Sequence, residues 1–141
     1  MIKKSQNIDL NKVISFCKKD KTILAAYLFG SYAKNKSKPT SDLDLALLTS
    51  DARGKRKKFE KRMRFNGELS RLLKKEVDLI FLEESSDLLG YEIIKTGKLI
   101  YEANKAKHRY LAAKIVLKYL DFQYIQKIME QGMIRSIKRG R

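Results

Sequence analysis

The feature that most constrains this chain of 141 residues is the stretch formed by residues 30–44, GSYAKNKSKPTSDLD. It closes one apolar run, residues 23–29, and opens another, residues 43–48. Short apolar runs bounded by turn-forming residues are typical of buried strands. The pattern therefore predicts two neighbouring strands, with a Gly-Ser pair at the end of the first and an Asp-x-Asp alternation at the start of the second.

Asp42 and Asp44 are predicted to share one face of the second strand. Successive side chains of a strand point to opposite faces, so the two aspartates lie on one face and Leu43 on the other. Their Cα atoms should be about 7 Å apart at the usual strand rise. Two like charges so close need a compensating cation, and Mg²⁺ is a hard cation that prefers oxygen ligands.

Gly30 and Ser31 are predicted to form the other half of the same site. Glycine permits a sharp turn and a close approach of the backbone to a ligand, and Ser31 begins a predicted short helix, residues 31–34. The N-terminus of a helix binds phosphate well. A cation at the carboxylates and phosphate at the Gly-Ser turn together indicate a nucleoside triphosphate bound between two adjacent strands.

This arrangement resembles a known family. Gly30-Ser31, ten residues, then Asp42-x-Asp44 is similar to the signature of the nucleotidyltransferases of the DNA polymerase beta superfamily. That family carries a third metal-binding aspartate on a later strand. Asp78 is the residue that matches it, because it is the one acidic residue in the middle of a strand-like apolar pattern, EVDLIFL.

The shortness of the chain and its order of elements resemble the minimal nucleotidyltransferases (MNT), over residues 22–122. The resemblance implies an α/β (α+β) fold with a small mixed four-stranded sheet flanked by helices. It also implies one nucleotidyltransferase domain, residues 1–141, in which residues 104–141 are a C-terminal helical segment. Lys34 stands where such proteins commonly have arginine, so the charge is kept but the bidentate fork for phosphate is lost.

The resemblance also implies an activity. Proteins of this kind transfer AMP from ATP to a tyrosine of a cognate HEPN-domain ribonuclease toxin and so act as its antitoxin. In that scheme Asp42 and Asp44 bridge two Mg²⁺ ions and Asp78 completes the shell of the first. Gly30, Ser31 and Lys34 then hold the β and γ phosphates of ATP.

Three alternatives remain open. A small-molecule nucleotidyltransferase of the aminoglycoside-modifying kind would share the site, although such enzymes usually carry a second helical domain for the acceptor. A non-catalytic antitoxin would mask its toxin by binding alone and would not need Asp42 and Asp44. A template-dependent polymerase is disfavoured because the chain lacks additional domains that would grip a duplex.

Composition limits the other classes of function. The 32 Lys and Arg residues outnumber the 16 Asp and Glu residues, so the chain attracts polyanions, but the excess is spread over several helices and does not favour a nucleic-acid role. The lone Cys17 lies on the apolar face of a predicted helix, which indicates a buried thiol. With one histidine, His108, zinc sites and Ser-His-Asp catalysis are excluded. No export signal or membrane span is predicted, so we expect a cytoplasmic location.

The remaining pattern predicts helices and a fourth strand. Asp9 should cap a helix that runs to about Lys19, and Ser85 or Ser86 should cap one that ends near Thr96 before a strand over residues 98–102. A long basic helix is predicted over residues 55–74. Its apolar residues, which we expect to face the core, are Phe59, Met63, Phe65, Leu69, Leu72 and Leu73.

The C-terminal segment, residues 104–137, is apolar almost all round a helical wheel. Such a helix must be buried on every side, yet a four-stranded domain can cover one face only. Either the helix breaks near Asp121 and folds back, or its outer face is an interface with a partner or with a second copy of the chain. His108, at the start of this segment, is predicted to be a surface residue.

Overall fold

A four-stranded mixed sheet forms the centre of the protein, as seen in a computed structural model that describes residues 9–30, 42–50 and 53–139. Its strands are β1 (Ile23–Phe29), β2 (Leu43–Thr49), β3 (Val77–Phe81) and β4 (Lys98–Glu102). They are ordered β3-β2-β1-β4. Strand β1 is antiparallel to both β2 and β4, whereas β2 and β3 are parallel. The predicted mixed four-stranded fold is confirmed.

Four α-helices connect and cover the strands. They are α1 (Leu10–Lys18), α2 (Lys55–Leu73), α3 (Asp87–Thr96) and α4 (Lys105–Lys138), with a short 3-10 helix at Leu82–Glu84 after β3. The predicted caps are present, because the side chains of Asp9 and Ser86 accept hydrogen bonds from the backbone amides of Asn11 and Leu89. Such caps satisfy amides that have no partner inside the helix.

Helices cover both faces of the sheet, and each face has its own core. Alternate residues of β2 (Leu43, Leu45 and Leu47) pack with residues of α1 and α2, among them Cys17 and Phe65. Cys17 is fully buried, as predicted, and burial raises the pKa of its thiol to about 12. The intervening residues of β2, such as Ala46 and Leu48, pack with residues of α3 and α4 on the opposite face.

The predicted inner face of α2 is wrong in part. Phe65 and Leu69 are buried, but Phe59 and Met63 are exposed by 54% and 48%, and Lys61 is buried instead. The Lys61 ammonium lies 3.4 Å from an Asp20 carboxylate oxygen and donates a hydrogen bond of 2.6 Å to the Thr22 hydroxyl. This pairing supplies the partners that a buried charge needs. Because Lys61 points inward, the buried face of α2 differs from the one predicted from its apolar residues.

Helix α4 is one continuous helix of 34 residues, so the alternative in which it breaks near Asp121 and folds back is wrong. Its first half packs on the sheet and on α3, where Tyr91 and Tyr119 stack with ring centroids 4.5 Å apart. From residue 121 to residue 139 every residue is exposed. None of the described helices, α4 included, is long and apolar enough to cross a membrane.

His108 is buried, so the prediction of a surface residue is wrong. Its Nδ1 donates to the carboxylate of Glu102, and its Nε2 pairs with the hydroxyl of Tyr27. The hydrogen bond from His108 holds the pKa of Glu102 below its usual range, and burial raises the pKa of Tyr27 to about 12. These three side chains tie α4 to β4 and β1.

Candidate active site

Three aspartates meet where β2 and β3 begin. Asp44 lies directly opposite Asp78 in the parallel ladder between these strands, which places their Cα atoms about 4.8 Å apart. Asp42 precedes β2 by one residue and is exposed. The alternation of the strand directs Asp44 to the sheet face opposite that of Leu43 and Leu45, as the sequence pattern predicts.

Gly30 completes this edge of the sheet from β1. Phe29, the last residue of β1, is the antiparallel partner of Asp44, so the glycine follows directly beside the carboxylate. Its φ angle is +68°, a left-handed conformation that glycine adopts without strain. A Cβ atom there would overlap with Oδ2 of Asp44 and lie 3.1 Å from its Cγ. Only a residue without a side chain permits this approach.

The electrostatics of this edge oppose ionisation of Asp44. Partial burial raises the pKa of its carboxyl group above the ordinary value, and the negative charges of Asp78 and Asp42 raise it further. Within the described residues, no hydrogen bond or ion pair from a neighbour reaches the side chains of these three aspartates. The edge therefore concentrates negative charge that a bound cation would neutralise.

The donor set of this edge fits magnesium. All three side chains offer carboxylate oxygens, and Gly30, which has no Cβ, lets the carboxylate of Asp44 approach its backbone closely. Among the described residues no group of three or more acidic, histidine or cysteine side chains is already gathered around one ion position. Magnesium in nucleotide sites commonly takes only one or two carboxylates from the protein and completes its shell with substrate phosphates and water.

Two predicted site residues, Ser31 and Lys34, lie outside the described residues, as does the short helix predicted over residues 31–34. The structure thus brings together Gly30, Asp42, Asp44 and Asp78, and the roles of all six residues stay predictions.

The opposite end of the sheet carries carboxylates too, but these are paired. Glu83 accepts a hydrogen bond of 3.0 Å from the backbone amide of Thr49 and lies 3.0 Å from the Lys58 ammonium. Partial burial opposes ionisation of Asp20, but hydrogen bonds from Thr22 and the charge of Lys61 outweigh it and hold the pKa of Asp20 below its usual value. Sequence reasoning missed this network.

The buried His108 was missed as well, although a signal for it existed. It falls at helical spacing with Leu111, Ala112 and Ile115, which form the inner face of α4. A polar residue on that face must find partners, and Tyr27 and Glu102 provide them. Tyr27 lies on the same sheet face as Asp44, so this tether fixes α4 against the strand that positions Gly30.

Comparison with known proteins identifies the family. A family profile described as "Polymerase beta, Nucleotidyltransferase" matches residues 11–106, about two thirds of the chain. The chain belongs to this nucleotidyltransferase family. The matched segment includes all four strands and the three aspartates, so the carboxylate edge lies within the part of the chain that matches the nucleotidyltransferase family.

Similar proteins carry more specific names. The protein adenylyltransferase MntA of Shewanella oneidensis is 28% identical over 97 residues, which cover 68% of this nucleotidyltransferase and 67% of the relative. A toxin-antitoxin crystal structure with AMP-PNP has a TM-score of 0.68 at 22% identity, covering 92% of this chain and 98% of that one. A complex of tri-AMPylated Shewanella oneidensis HEPN toxin with MNT antitoxin has a TM-score of 0.60 at 22% identity, covering 91% and 94%. At such identities the two structures establish the fold alone.

Proposed function

We propose that this nucleotidyltransferase transfers AMP from ATP to a tyrosine of a HEPN-domain toxin and thereby acts as its antitoxin. The observation that carries the proposal is the direct opposition of Asp44 and Asp78, beside a glycine whose lack of a Cβ permits the close approach of the Asp44 carboxylate. The relative named as a protein adenylyltransferase and the structures of toxin-antitoxin complexes support AMP, ATP and a HEPN partner.

The carboxylates of Asp42, Asp44 and Asp78 would hold two Mg²⁺ ions. When bound, these would neutralise the triphosphate and lower the pKa of the attacking hydroxyl. Gly30 would offer its backbone amide to the β and γ phosphates, with Ser31 and Lys34 as further donors. Because Gly30 has no side chain, its backbone would also be able to approach the nucleotide closely.

The transfer step balances without a further reagent. The oxygen of the tyrosine hydroxyl attacks the α phosphorus of ATP, and the bond between that phosphorus and the oxygen leading to the β phosphorus breaks. Asp78, the more exposed partner of the opposed pair, accepts the hydroxyl proton. AMP remains on the tyrosine, and pyrophosphate leaves.

Two predictions about the whole chain belong to this proposal. We infer that residues 1–141 act as one nucleotidyltransferase domain with a C-terminal helical segment, residues 104–141. We also infer that the protein works in the cytoplasm, where ATP and an intracellular toxin would meet it.

The experiment is a transfer assay with ATP labelled at the α phosphate, Mg²⁺ and the HEPN protein encoded beside this chain. We expect label on a tyrosine of that protein, located by mass spectrometry, and no label with the Asp42→Asn, Asp44→Asn double variant. Glu84→Gln is the matched control, because it also removes an exposed carboxylate but lies outside this edge. No label on the HEPN protein with the unsubstituted chain would contradict the proposal.

Two alternatives give different results in the same system. A small-molecule nucleotidyltransferase would label an aminoglycoside and leave the HEPN protein unlabelled. A non-catalytic antitoxin would still protect cells from the toxin when Asp42 and Asp44 are both asparagine. Loss of that protection, with the Glu84→Gln variant fully protective, would exclude masking by binding alone.

A further inference from the structure

The outer part of α4, residues 117–138, exposes more apolar side chain than the fold can account for. Ten large apolar residues there are 42–69% exposed. At 1.5 Å per residue this segment is about 33 Å long. Contiguous apolar surface of this kind on a water-exposed helix marks a binding site for another protein.

Eight of the ten exposed apolar residues of the outer α4 fall into two stripes on opposite sides of the helix, and Ile125 and Ile134 lie between the stripes. At about 100° per residue, the inner stripe continues the line of His108, Leu111 and Ile115, the residues by which α4 packs on the sheet. The members of the inner stripe are Phe122, Met129, Met133 and Ile137. The members of the outer stripe, about half a turn away, are Leu117, Leu120, Tyr124 and Ile128.

Opposite stripes restrict the shape of the partner. A single flat surface or a single packed helix covers one side of α4 and leaves the other stripe in water. Both stripes are covered together when α4 enters a cleft between two helices, as it would in a helix bundle. Tyrosine at 124, exposed by 67%, is moreover a residue type enriched among interface anchors.

A groove marks the point where α4 leaves the domain. It has a volume of about 550 Å³, and its lining includes Leu48, Thr49 and Glu83 from the sheet end and Leu117, Lys118 and Asp121 from α4. The groove is thus continuous with the apolar part of α4, because Leu117 belongs to both. It offers an apolar floor with charged side chains at its rim.

Charge distinguishes a foreign partner from a second copy of the chain. The formal net charge is +16, so two copies repel each other. Within residues 117–138 basic residues outnumber acidic residues by four to two. The basic residues are Lys118, Lys127, Arg135 and Lys138, and the acidic residues are Asp121 and Glu130. Apposed copies of α4 would bring this basic excess together, whereas an acidic partner would be attracted to it.

We propose that residues 117–138 insert into an apolar cleft between two helices of an acidic helical protein, with the groove at their base receiving a side chain of that protein. The partner is identified with the HEPN protein, so the inference rests on the proposed function. The docking surface goes beyond the proposed function, because it lies away from the active site. Thr49 in the groove and Asp44 at the active site are at opposite ends of β2, about 17 Å apart at the usual strand rise. Docking and transfer therefore use separate ends of the domain.

The test compares three double variants of the full chain in binding to the HEPN protein encoded beside it, by calorimetry and light scattering. Met129→Ser with Met133→Ser removes part of the inner stripe, and Tyr124→Ser with Ile128→Ser removes part of the outer one. Gln126→Ser with Gln131→Ser is the matched control, since it makes the same type of change at exposed polar positions of the same helix. We expect each apolar variant to weaken binding by at least about tenfold, the effect of losing an interface anchor.

The control should bind within about twofold of the original chain, because exposed polar changes away from anchors have small effects. Binding should weaken with added salt. Equal affinity for all variants, an effect of one stripe alone, or no complex at all would overturn the proposal. If the chain forms a dimer by itself and the apolar variants are monomers, the proposal is also overturned, because the stripes would then bind a second copy of the chain. Mg²⁺-dependent ATP binding, measured on the same variants, tests the transferase separately and should be unchanged.

Discussion

The two ends of the central sheet hold carboxylates under opposite conditions. At one end Glu83 forms an ion pair with Lys58 and accepts a hydrogen bond from the Thr49 amide, and the nearby Asp20 forms an ion pair with Lys61. At the other end Asp44 faces Asp78 across the ladder, and partial burial, together with the neighbouring negative charges, raises the pKa of Asp44. The first end satisfies its charges within the protein, while the second accumulates charge of one sign.

This difference separates structural from functional carboxylates. A charge that is paired in the protein contributes to stability but cannot serve a ligand without losing its partner. The raised pKa of Asp44, with no cation among its described neighbours, reflects an electrostatic cost that a cationic ligand would remove, which is the pattern of functional sites. We therefore expect substitutions at the paired end to change stability and those at the aspartate end to change activity.

The largest expected effect follows replacement of the proposed proton acceptor. Asp78→Asn should lower AMP transfer by about a hundredfold or more, the usual scale for a positioned base or metal ligand, with a much smaller change in the dissociation constant of ATP. Transfer rates and calorimetry on the same preparation check both quantities. Equal losses in both would assign Asp78 to binding of the triphosphate instead.

Gly30→Ala should damage the same end by steric means. The added methyl group would overlap with Oδ2 of Asp44, so we expect transfer to fall by about tenfold to a hundredfold and stability by about 1 kcal/mol from the left-handed backbone. Gly67→Ala is the matched control, since a Cβ at this helical position meets nothing within 4 Å. That variant should retain activity and melt at a higher temperature. An active Gly30→Ala protein would contradict the predicted close approach.

At the paired end, Lys61→Met should lower the stability of the protein without changing ATP binding at the aspartate end. The substitution keeps the buried stem but removes the ammonium that contacts Asp20 and Thr22, so the free energy of unfolding should fall by about 1–3 kcal/mol. Urea unfolding measures this loss. Below the unfolding transition, Mg²⁺-dependent ATP binding should match that of the original chain. A selective loss of ATP binding would remove the distinction between the two ends.

The smallest expected effect is a gain in stability from Asp44→Asn. The pKa of Asp44 is raised in the folded chain, so its contribution to stability is present at low pH and is lost as the pH rises through the raised value. At neutral pH the variant without bound metal should melt about 1–3 °C higher, since the half-exposed charge is screened by water. The gain should vanish as the pH approaches the ordinary value of 3.8. A lower melting temperature at neutral pH would contradict the sign of this shift.

Local signals were enough to predict much of the fold and the sheet face on which Asp44 lies. The predicted strand over residues 98–102 is β4, and alternation in β2 placed Asp44 on the face away from Leu43 and Leu45. Such features depend on periodicity and on the turn-forming residues that flank each run. The opposition of Asp44 and Asp78 depends in addition on the parallel register of β2 and β3, which neither the sequence pattern nor the family resemblance predicted.

Other features depend on contacts that periodicity does not encode. Lys61 is buried because Asp20 and Thr22, about forty residues away, meet its ammonium. His108 is buried because Tyr27 and Glu102 satisfy both ring nitrogens. A prediction based on apolar residues alone places such polar side chains on the surface. For the same reason it assigned the wrong residues to the inner face of α2. The apolar pattern of α4 predicted a helix but not whether the helix would fold back or extend.

The most direct test of the central claim is calorimetry of ATP binding to the purified chain, with Mg²⁺ and with excess chelator. We predict binding that requires Mg²⁺, that is lost when Asp42 and Asp44 are both replaced by asparagine, and that survives Glu84→Gln. Circular dichroism should show the double variant to be folded, because exposed like charges do not stabilise the sheet. Unchanged affinity for Mg-ATP in the folded double variant would show that this edge of the sheet is not the nucleotide site.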